Sequence, residues 1–309
     1  MDEARKQTED EEIVCRVALT CTEGVGPATF DELLKAYGTC CEVVFKSRKR
    51  PLRALPRISA GIVDAILRIR DDMPRWQAML SKLEETGIQV LSGSGPAYPQ
   101  ALKALERPPP VLFVKGELRK QDQRGLAIVG STRPTSQGRE TAIESARRSA
   151  RKGCTVISGL ARGVDSAAHW GAMAADGRTV AFPATGLAMI SPTRELQQPS
   201  AICQSGALVS PFPPCQRWET GAAMRRNWLV AAMSQGVFVV ESGRDGGAVY
   251  TARAARSLGR PVFALSRRES GKETAGNRQL LEGGATAITC LADVDRMVER
   301  VCGDSTKNG

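Results

Sequence analysis

The segment CTVISGLARGVDSAAH, at residues 154–169, constrains the fold more than any other stretch of the chain. Its β-branched start stops at Ser158 and Gly159, a short polar loop with Arg162 follows, and Asp165 stands where a helix N-cap is expected. A strand that ends in a small-residue loop and opens a helix builds an anion site, because the first backbone N–H groups and the positive end of the helix dipole face the ligand. The guanidinium of Arg162 adds a fork suited to phosphate oxygens.

The same arrangement occurs earlier in the chain. The aliphatic run 126–129 is followed by Gly130 and Ser131 and then by Arg133, and a helix is expected from about Gln137. Two such loops at the ends of neighbouring strands indicate a phosphate-rich ligand. The alternative is that both are the glycine-rich turns that any α/β sheet contains.

The charge distribution points to a polyanionic partner. The 309 residues carry a net charge of +10, although residues 1–12 hold six acids and only two bases. We expect residues 1–12 to be a disordered acidic tail and the basic remainder to bind a polyanion; a generally basic cytoplasmic protein is the alternative. No apolar run reaches the roughly 18 residues of a membrane span, and the polar start is unlike a secretory signal.

Residue counts also limit the chemistry. The nine cysteines show no C-x-x-C spacing, which favours reduced cytoplasmic thiols over zinc ligands or disulfides. The single histidine, His169, excludes any multi-histidine metal site, and we expect it to be a polar helix-face residue near the ligand loop.

No G-x-x-x-x-G-K-[ST] loop and no strand followed by G-x-G-x-x-G occurs, which argues against nucleotidases and dinucleotide-dependent oxidoreductases. We expect no metal, cofactor or catalytic residue.

The chain is predicted to contain a helical domain and an α/β domain. Residues 13–88 are typical of short helices, and the turn at 23–27 is either a DNA-contacting helix-hairpin-helix or a plain helix–helix turn. The basic stretch 46–57 is either a DNA-facing loop or a solvated one. Residues 89–303 are expected to form the second domain, and residues 304–309 a tail.

Beyond residue 124, strands and helices alternate, which predicts a mostly parallel, doubly wound α/β sheet. The expected strands are 126–130, 154–158, 179–183, 206–210, 236–241, 261–265 and 286–289, and the main expected helices are 137–152, 166–175, 221–234 and 248–258. In such sheets the ligand lies beyond the carboxyl ends of the strands. The two loops that carry Arg133 and Arg162 are expected at this edge.

Other polar segments are expected at or near the same edge. They contain Gly186, Arg225, Arg226, Asn227, Gly246 and Thr251. Paired arginines followed by an asparagine offer two charged forks and an amide, which suit phosphates and a base edge. A solvated helix start is the alternative.

Taken in order, the residues resemble the DNA-processing protein A family (DprA, also called Smf) over about residues 13–292. The resemblance rests on Tyr98-Pro99 with Leu102, Pro109–Phe113, Gly116, Ile128–Ser131 with Arg133-Pro134, Ser158–Asp165 with Ala168-His169, Thr185–Leu187, Arg225–Asn227, Gly246 with Thr251-Ala252, Val262–Ala264, Gly276-Asn277 and Gly283–Ala285.

The resemblance implies an extended Rossmann-like domain preceded by a small helical SAM-like domain, without the C-terminal winged helix of many members. It also implies a dimer that binds single-stranded DNA in a basic pocket at the strand ends and hands the strand to the RecA recombinase during natural transformation, without catalysis. The residues predicted to bind DNA are Gly130, Ser131, Arg133, Ser158, Gly159, Arg162, Gly163, Asp165, His169, Gly186, Arg225, Arg226, Asn227, Gly246, Thr251 and Asn277.

Two other functions and one structural alternative stay open. Nucleoside-monophosphate phosphoribohydrolases of the same superfamily carry a catalytic glutamate near a Pro-Gly-Gly-x-Gly-Thr loop; the corresponding loop here has Glu241 and Gly246-Gly247 but no such proline-led motif. A sensor of a nucleotide signal is the other possibility. A late apolar set either forms a dimer face or packs into the core; it comprises Ala254, Leu258, Val262 and Phe263.

Overall fold

The computed structural model describes residues 2–190, 198–267, 271 and 274–303. The chain divides into two compact units: the helical unit, residues 1–113 with 211–213, and the sheet unit, residues 114–210 with 214–309. The tail predicted at 304–309 lies outside the described residues. Within the described ranges, no helix is both long and apolar enough to cross a membrane.

The helical unit begins with six helices whose apolar faces enclose a common core. They are α1 (Asp2–Cys21), α2 (Pro27–Tyr37), α3 (Cys40–Lys46), α4 (Lys49–Arg53), α5 (Ala60–Ile69) and α6 (Met73–Glu85). Leu19, Phe30, Leu33 and Ile66 are among the buried residues of this core. Strand β1 (Ile88–Ser92), the short helix α7 (Gln100–Lys103) and strand β2 (Val111–Gly116) follow, and β2 runs on into the sheet unit.

The expectation of a disordered tail is wrong for residues 2–12, which belong to α1. Glutamate, arginine, lysine and glutamine are strong helix formers, and acidic side chains near a helix start are stabilised by the dipole. The Glu12 carboxylate accepts hydrogen bonds from the backbone N–H groups of Cys40 (3.0 Å) and Cys41 (2.9 Å), at the start of α3. Burial raises the pKa of Glu12, but the amides of Cys41 and Cys40 outweigh it, so the pKa is lowered.

Two turns of the helical unit share one backbone pattern. Each has a residue with positive φ, then a buried aliphatic residue, then an extended residue that caps the next helix. The turns are Gly24-Val25-Gly26 before α2 and Arg57-Ile58-Ser59 before α5. The predicted turn at 23–27 therefore joins α1 and α2, and its contact with DNA stays a prediction. The basic stretch 46–57 covers the end of α3, all of α4 and the turn that follows.

The remaining strands belong to the sheet unit and lie within two residues of the predicted ranges. They are β3 (Gly125–Val129), β4 (Thr155–Ser158), β5 (Thr179–Ala181), β6 (Ala207–Ser210), β7 (Gly236–Val239), β8 (Val262–Leu265) and β9 (Thr286–Ile288). In the described part of the sheet unit these strands have the order β6-β5-β4-β3-β7-β8-β9. Every neighbouring pair from β6 to β9 is parallel, which confirms the predicted fold class.

Helices cover both faces of this sheet. They are α8 (Ser136–Arg151), α9 (Val164–Met173), α10 (Gln198–Ser205), α11 (Thr220–Met233), α12 (Gly247–Ser257), α13 (Ala275–Glu282) and α14 (Leu291–Cys302). Helices α8, α9 and α14 share a buried core with Leu126 and Phe238, while α11 and α12 contact β3 and β7. Alternate strand residues such as Ala127 and Val237 are buried as well, as expected for a sheet covered on both sides.

The packing bears on two expectations about individual residues. Of the late apolar set, Ala254, Val262 and Phe263 are buried in the sheet unit and pack into its core, whereas Leu258 is only partly buried. Cys154 and Cys302 form a disulfide, so the expectation of reduced thiols is wrong for this pair. Because the two cysteines are 148 residues apart, their spacing in the sequence carries no signal of the pairing.

A buried ion pair joins the amino ends of the central strands, which we call the amino edge. Arg178, just before β5, donates from Nε to Oδ1 of Asp122 (2.6 Å) and from Nη2 to Oδ2 (2.9 Å). The same carboxylate accepts from the hydroxyl of Thr155 (3.1 Å) and from the backbone N–H of Arg119 (2.8 Å). Arg178 also donates to the carbonyl of Ser205 (3.1 Å). Both charges are thus paired and hydrogen-bonded, as burial requires.

Candidate functional site

The strand order places a topological switch point at the centre of the sheet. From β3 the chain proceeds through β4, β5 and β6 on one side, and it then returns to place β7, β8 and β9 on the other side. Ligands of doubly wound sheets bind beyond the carboxyl ends of the strands at such a point. We call these strand ends and the loops that follow them the carboxyl edge.

The loops after β3, β4 and β7 are joined to one another at this edge. The backbone N–H of Ser131 donates to the carbonyl of Glu241 (2.6 Å), and the N–H of Val164 donates to the carbonyl of Ser131 (3.1 Å). Gly163 has φ +80, and a Cβ there would overlap the carbonyl oxygen of Ser131. A Cβ at Gly130 would meet Val164 and the carbonyl of Glu241. The loop after β3, which carries Arg133, and the loop after β4, which carries Arg162, therefore lie side by side. Glycine permits their close approach.

A buried carboxylate occupies the amino end of α8, the helix that opens after the first loop. Glu241 is fully buried and accepts from the backbone N–H of Thr135 (2.8 Å) and from its hydroxyl (2.6 Å). Arg267 also donates to the Glu241 carboxylate. Thr135 is the N-cap of α8, where its hydroxyl accepts from the N–H of Gly138 (3.0 Å). The positive end of the α8 dipole is thus matched by an internal negative charge.

A second buried carboxylate occupies the start of α9. The prediction that Asp165 is the N-cap is wrong, because Gly163 is the cap and Asp165 lies in the first turn. Its Oδ2 instead accepts from the backbone N–H groups of Gly159 (3.2 Å) and Ala161 (3.3 Å). Burial raises the pKa of the Asp165 carboxyl, and the Arg226 cation and the amide bonds offset part of that rise. The carboxylate therefore shapes the second loop.

These two carboxylates change the expected mode of anion binding. The sequence predicted that backbone N–H groups of these two loops and helix starts bind phosphate, but the N–H groups of Thr135, Gly159 and Ala161 already donate to Glu241 or Asp165. A phosphate at this edge would therefore have to be held chiefly by side chains. Exposed guanidinium groups are present on the loops and at the start of α11; they belong to Arg133, Arg162, Arg225 and Arg244.

The adjacent residues Arg225 and Arg226 have different environments. Arg225 is exposed and forms an ion pair with Glu219 (3.0 Å). Arg226 is buried, donates to the carbonyls of Gly159 and Phe182, and has its Nη1 3.7 Å from Oδ2 of Asp165. Burial lowers the pKa of Arg226, and Asp165 opposes the shift. We therefore interpret Arg226 as a support for the loop after β4, and only Arg225 presents its guanidinium to solvent.

Several other predicted residues lie behind the surface of this edge. The Ser158 hydroxyl donates to the carbonyl of Ile128 (2.7 Å), and the Thr251 hydroxyl donates to that of Gly247 (3.0 Å). The amide of Asn277 is buried and donates to the carbonyls of Val239, Val240 and Leu265. Their hydrogen bonds favour support roles, and direct contact of these side chains with DNA stays a prediction.

The glycines and Asn227 set the course of neighbouring loops. Gly246 is the N-cap of α12, and Asn227 donates from its amide to the carbonyl of Gly247 (3.2 Å), which ties α11 to α12. The N–H of Gly186 donates to the carbonyl of Gln216 (2.9 Å). These contacts bring the loops after β5, β6 and β7 to the carboxyl edge.

His169 is fully buried behind the loop after β4. Its Nδ1 lies 2.7 Å from the hydroxyl of Thr179, which donates to the carbonyl of Val156 (2.8 Å). The hydroxyl proton is thus used, so His169 donates from Nδ1, and Nε2 has no hydrogen-bond partner among the described residues. Burial, with a smaller contribution from the Arg226 cation, lowers the pKa of His169 to about 3. The imidazole is therefore neutral at physiological pH; it lies on α9 as predicted, but in the core, and its predicted contact with DNA stays a prediction.

Sequence reasoning missed several residues of this site. The only role considered for Glu241 was that of a possible catalytic group, and Thr135 and Arg267 were not among the predicted site residues. Leu160, in the second loop, has φ +55, a conformation in which strain is typical of functional sites. Arg244 lies between β7 and α12, in the same loop as Gly246; the sequence placed this loop at the edge but did not count Arg244 among the DNA contacts. In the described ranges no group of His, Cys, Asp and Glu side chains is arranged to hold a metal ion.

Known proteins with related sequences share this part of the chain. The model of the DNA recombination-mediator protein A family matches residues 89–299. Protein Smf of Synechocystis sp. is 30% identical over 276 residues, which cover 88% of this chain and 69% of the relative. DNA processing protein DprA of Bacillus subtilis is 32% identical over 222 residues, which cover 72% of this chain and 75% of the relative.

Solved structures of DNA processing protein A are similar to this chain as well. DNA processing protein A from Helicobacter pylori, whose single-stranded DNA binding mode has been determined, matches with a TM-score of 0.62 and 27% identity over 69% of this chain and 97% of that one. DNA processing protein A from Streptococcus pneumoniae matches in fold, with a TM-score of 0.74 and 23% identity over 91% of this chain and 96% of that one. The chain thus belongs to the DNA recombination-mediator protein A family.

Proposed function

We propose that the sheet unit binds single-stranded DNA at the carboxyl edge. The observation that carries the proposal is the group of exposed arginines, Arg133, Arg162, Arg225 and Arg244, around loops whose helix starts already hold internal carboxylates. Guanidinium side chains bind phosphates and follow a flexible backbone without reading its sequence. The relative from Helicobacter pylori, which binds single-stranded DNA, supports this choice of ligand.

The finer role that we propose is delivery of the strand to a RecA-type recombinase by a cytoplasmic homodimer. Two tethered pockets on one strand raise the effective concentration of the second contact without new interactions. Membership of a recombination-mediator family supports this role.

We also propose that the protein is not an enzyme. The phosphoribohydrolase alternative needs a glutamate available to substrate, whereas the Glu241 carboxylate is buried and is bonded to Thr135 and Arg267. The single histidine is buried and neutral. Because Glu241 and His169 are buried and Glu241 is already hydrogen-bonded, the side chains of this edge favour binding over catalysis.

Fluorescence anisotropy with labelled oligonucleotides tests the binding role. We expect tight binding of single-stranded DNA, weaker binding of a duplex of equal length, no comparable binding of mononucleotides, and no release of free base on prolonged incubation. Base release from a nucleoside monophosphate would instead support the enzyme, and tight binding of a mononucleotide alone would support a nucleotide sensor.

A filament assay tests the loading role separately. The protein should accelerate growth of recombinase filaments on strands that are already coated by single-strand-binding protein. If it binds DNA but gives no acceleration with the cognate recombinase, the loading role is wrong and the DNA-binding role remains.

A further inference from the structure

An exposed tryptophan stands at the rim of the carboxyl edge. Trp218 is 64% exposed, although tryptophan is a residue type that is largely buried on average. Two exposed methionines lie on the adjoining segments, Met189 in the loop after β5 and Met224 in the first turns of α11. The candidate DNA contacts described above do not include any of these three side chains.

Backbone hydrogen bonds hold the segment that carries Trp218 in place. The N–H of Gly186 donates to the carbonyl of Gln216 (2.9 Å), and the N–H of Ala188 donates to the carbonyl of Pro214 (3.0 Å). The loop after β6 is therefore fastened to the loop after β5. Trp218 stands immediately before Glu219, the N-cap of α11, so its backbone is fixed at both ends.

Cationic groups flank the exposed indole. Arg217 is its exposed neighbour in sequence, and Arg225 lies less than two turns along α11 and pairs with Glu219 (3.0 Å). Farther along α11, Arg226 donates to the carbonyls of Gly159 and Phe182. The start of α11 is thus fastened to the same loop that presents Arg162.

We propose that Trp218 is a stacking platform for an unpaired base of the bound strand, beside arginines that contact the phosphates on either side. The inference rests on the proposed single-stranded DNA binding. Sites that hold single strands without sequence preference combine a positively charged groove with aromatic side chains on which bases stack. A duplex keeps its bases inside the helix, so this contact also favours single strands.

The size and surroundings of the patch favour a base over a protein partner. A stable protein interface needs about 800 Å² from each partner and an apolar centre. Here the exposed large apolar side chains are one tryptophan and two methionines, and the segment with Trp218 also carries the charged Arg217, Glu219 and Arg225. One stacked base needs only one ring face, and the neighbouring phosphates match the flanking cations.

The test compares Trp218→Ala and Trp218→Phe with a matched control, Trp170→Ala. Trp170 is the other strongly exposed tryptophan in the described residues, at 48%, and its ring lies against the Arg147 guanidinium, 5.9 Å from the centroid. The probes are a labelled oligothymidylate and an abasic strand of equal length. We expect Trp218→Ala to weaken oligothymidylate binding about tenfold, about 1.4 kcal/mol, whereas Trp218→Phe stays within about threefold of the parent because an aromatic face remains.

The abasic strand separates stacking from charge. We expect it to bind all three variants as it binds the parent, and we expect Trp170→Ala to leave both probes unaffected. Equal loss of both probes in Trp218→Ala would overturn the stacking role, and so would unchanged binding of oligothymidylate. A change from dimer to monomer in Trp218→Ala, seen by light scattering, would assign the indole to a contact between copies and overturn the inference. Absence of single-strand binding by the parent would instead overturn the proposed function on which the inference rests.

Discussion

Two buried arginine–aspartate pairs lie at opposite edges of the same sheet and differ in how fully they are satisfied. At the amino edge, Arg178 contacts both oxygens of Asp122, at 2.6 and 2.9 Å. At the carboxyl edge, Arg226 lies 3.7 Å from Asp165, and the Nε of Arg226 has no hydrogen-bond partner within the described ranges. Leu160, which stands between the two residues whose backbone N–H groups donate to Asp165, Gly159 and Ala161, has φ +55.

The difference separates stability from function. Buried polar groups are normally hydrogen-bonded, and exceptions and strained backbones collect at functional sites. At the carboxyl edge, buried atoms of Arg267 and Asn277 also lack partners among the residues that the structure describes. We therefore expect removal of a charge to cost stability at the amino edge and to cost DNA binding at the carboxyl edge.

The largest expected effect is at the amino edge. Asp122→Asn removes the charge that pairs with Arg178, which leaves a buried guanidinium uncompensated, so the free energy of unfolding should fall by about 3–5 kcal/mol. Urea denaturation measures the change. At a temperature where the variant is folded, its affinity for single-stranded DNA should equal that of the parent. A loss of affinity in the folded variant would break the division between the two edges.

Gly159→Ala tests the carboxyl edge by displacing Arg226. A Cβ at this position would overlap the Arg226 guanidinium, so the arginine must move and release Asp165. We expect a loss of about 1–3 kcal/mol in stability, the usual cost of overpacking, together with at least a tenfold loss of affinity for single-stranded DNA. The control is Gly221→Ala, where the nearest atom to the new Cβ is 3.8 Å away. If Gly159→Ala binds single-stranded DNA with the affinity of the parent, Arg226 does not organise the loop after β4 for DNA binding.

The pH dependence of stability tests the buried state of His169. Its pKa is about 3 in the folded protein and about 6.5 in the unfolded chain. Below pH 6.5 the unfolded chain therefore binds a proton that the folded protein excludes, and the free energy of unfolding falls as pH falls, by at most about 1.4 kcal/mol per pH unit. Since it is the only histidine, His169→Gln should remove this slope between pH 6.5 and 5. An imidazole NMR signal that titrates near pH 6.5 would contradict the buried, neutral assignment.

The smallest expected effect concerns the exposed ion pair beside Trp218. Glu219→Gln removes the carboxylate that pairs with Arg225 at 3.0 Å. Exposed pairs contribute about 0–1 kcal/mol, so stability should change by less than about 0.5 kcal/mol. Loss of the negative charge should raise affinity for single-stranded DNA about two- to fourfold at low salt, and the gain should fade at high salt because the interaction is screened. An unchanged affinity at low salt would remove Arg225 from the set of phosphate contacts.

The fold was predictable because aliphatic runs and helical segments alternate clearly after residue 124. The loops after β3 and β4 were also predictable as neighbours, since parallel strands end at one edge. The contacts that decide chemistry were not predictable. Glu241 reaches Thr135 across 106 residues and Cys154 reaches Cys302 across 148, and no local pattern records such distances.

Two further errors have local physical causes. Arg225 and Arg226 were treated as one unit, but consecutive residues on an α-helix point about 100° apart, so one is exposed and the other is buried. Residues 2–12 were expected to be disordered from their acidic charge, although most of their side chains are good helix formers. In both cases helical geometry or propensity outweighed the charge pattern.

The salt dependence of single-stranded DNA binding tests most directly whether the arginines of the carboxyl edge bind the phosphates. For a single strand each phosphate contact contributes a slope of about 0.7 in the plot of log affinity against log salt concentration. We expect the slope to fall by about 0.7 in Arg133→Ala and by about 1.4 in Arg133→Ala with Arg162→Ala. Arg151→Ala removes the same charge from the exposed last residue of α8, at the amino edge, and should leave the slope unchanged. Equal slopes in the parent and the double variant, or a loss only in Arg151→Ala, would contradict the placement of the DNA site at the carboxyl edge.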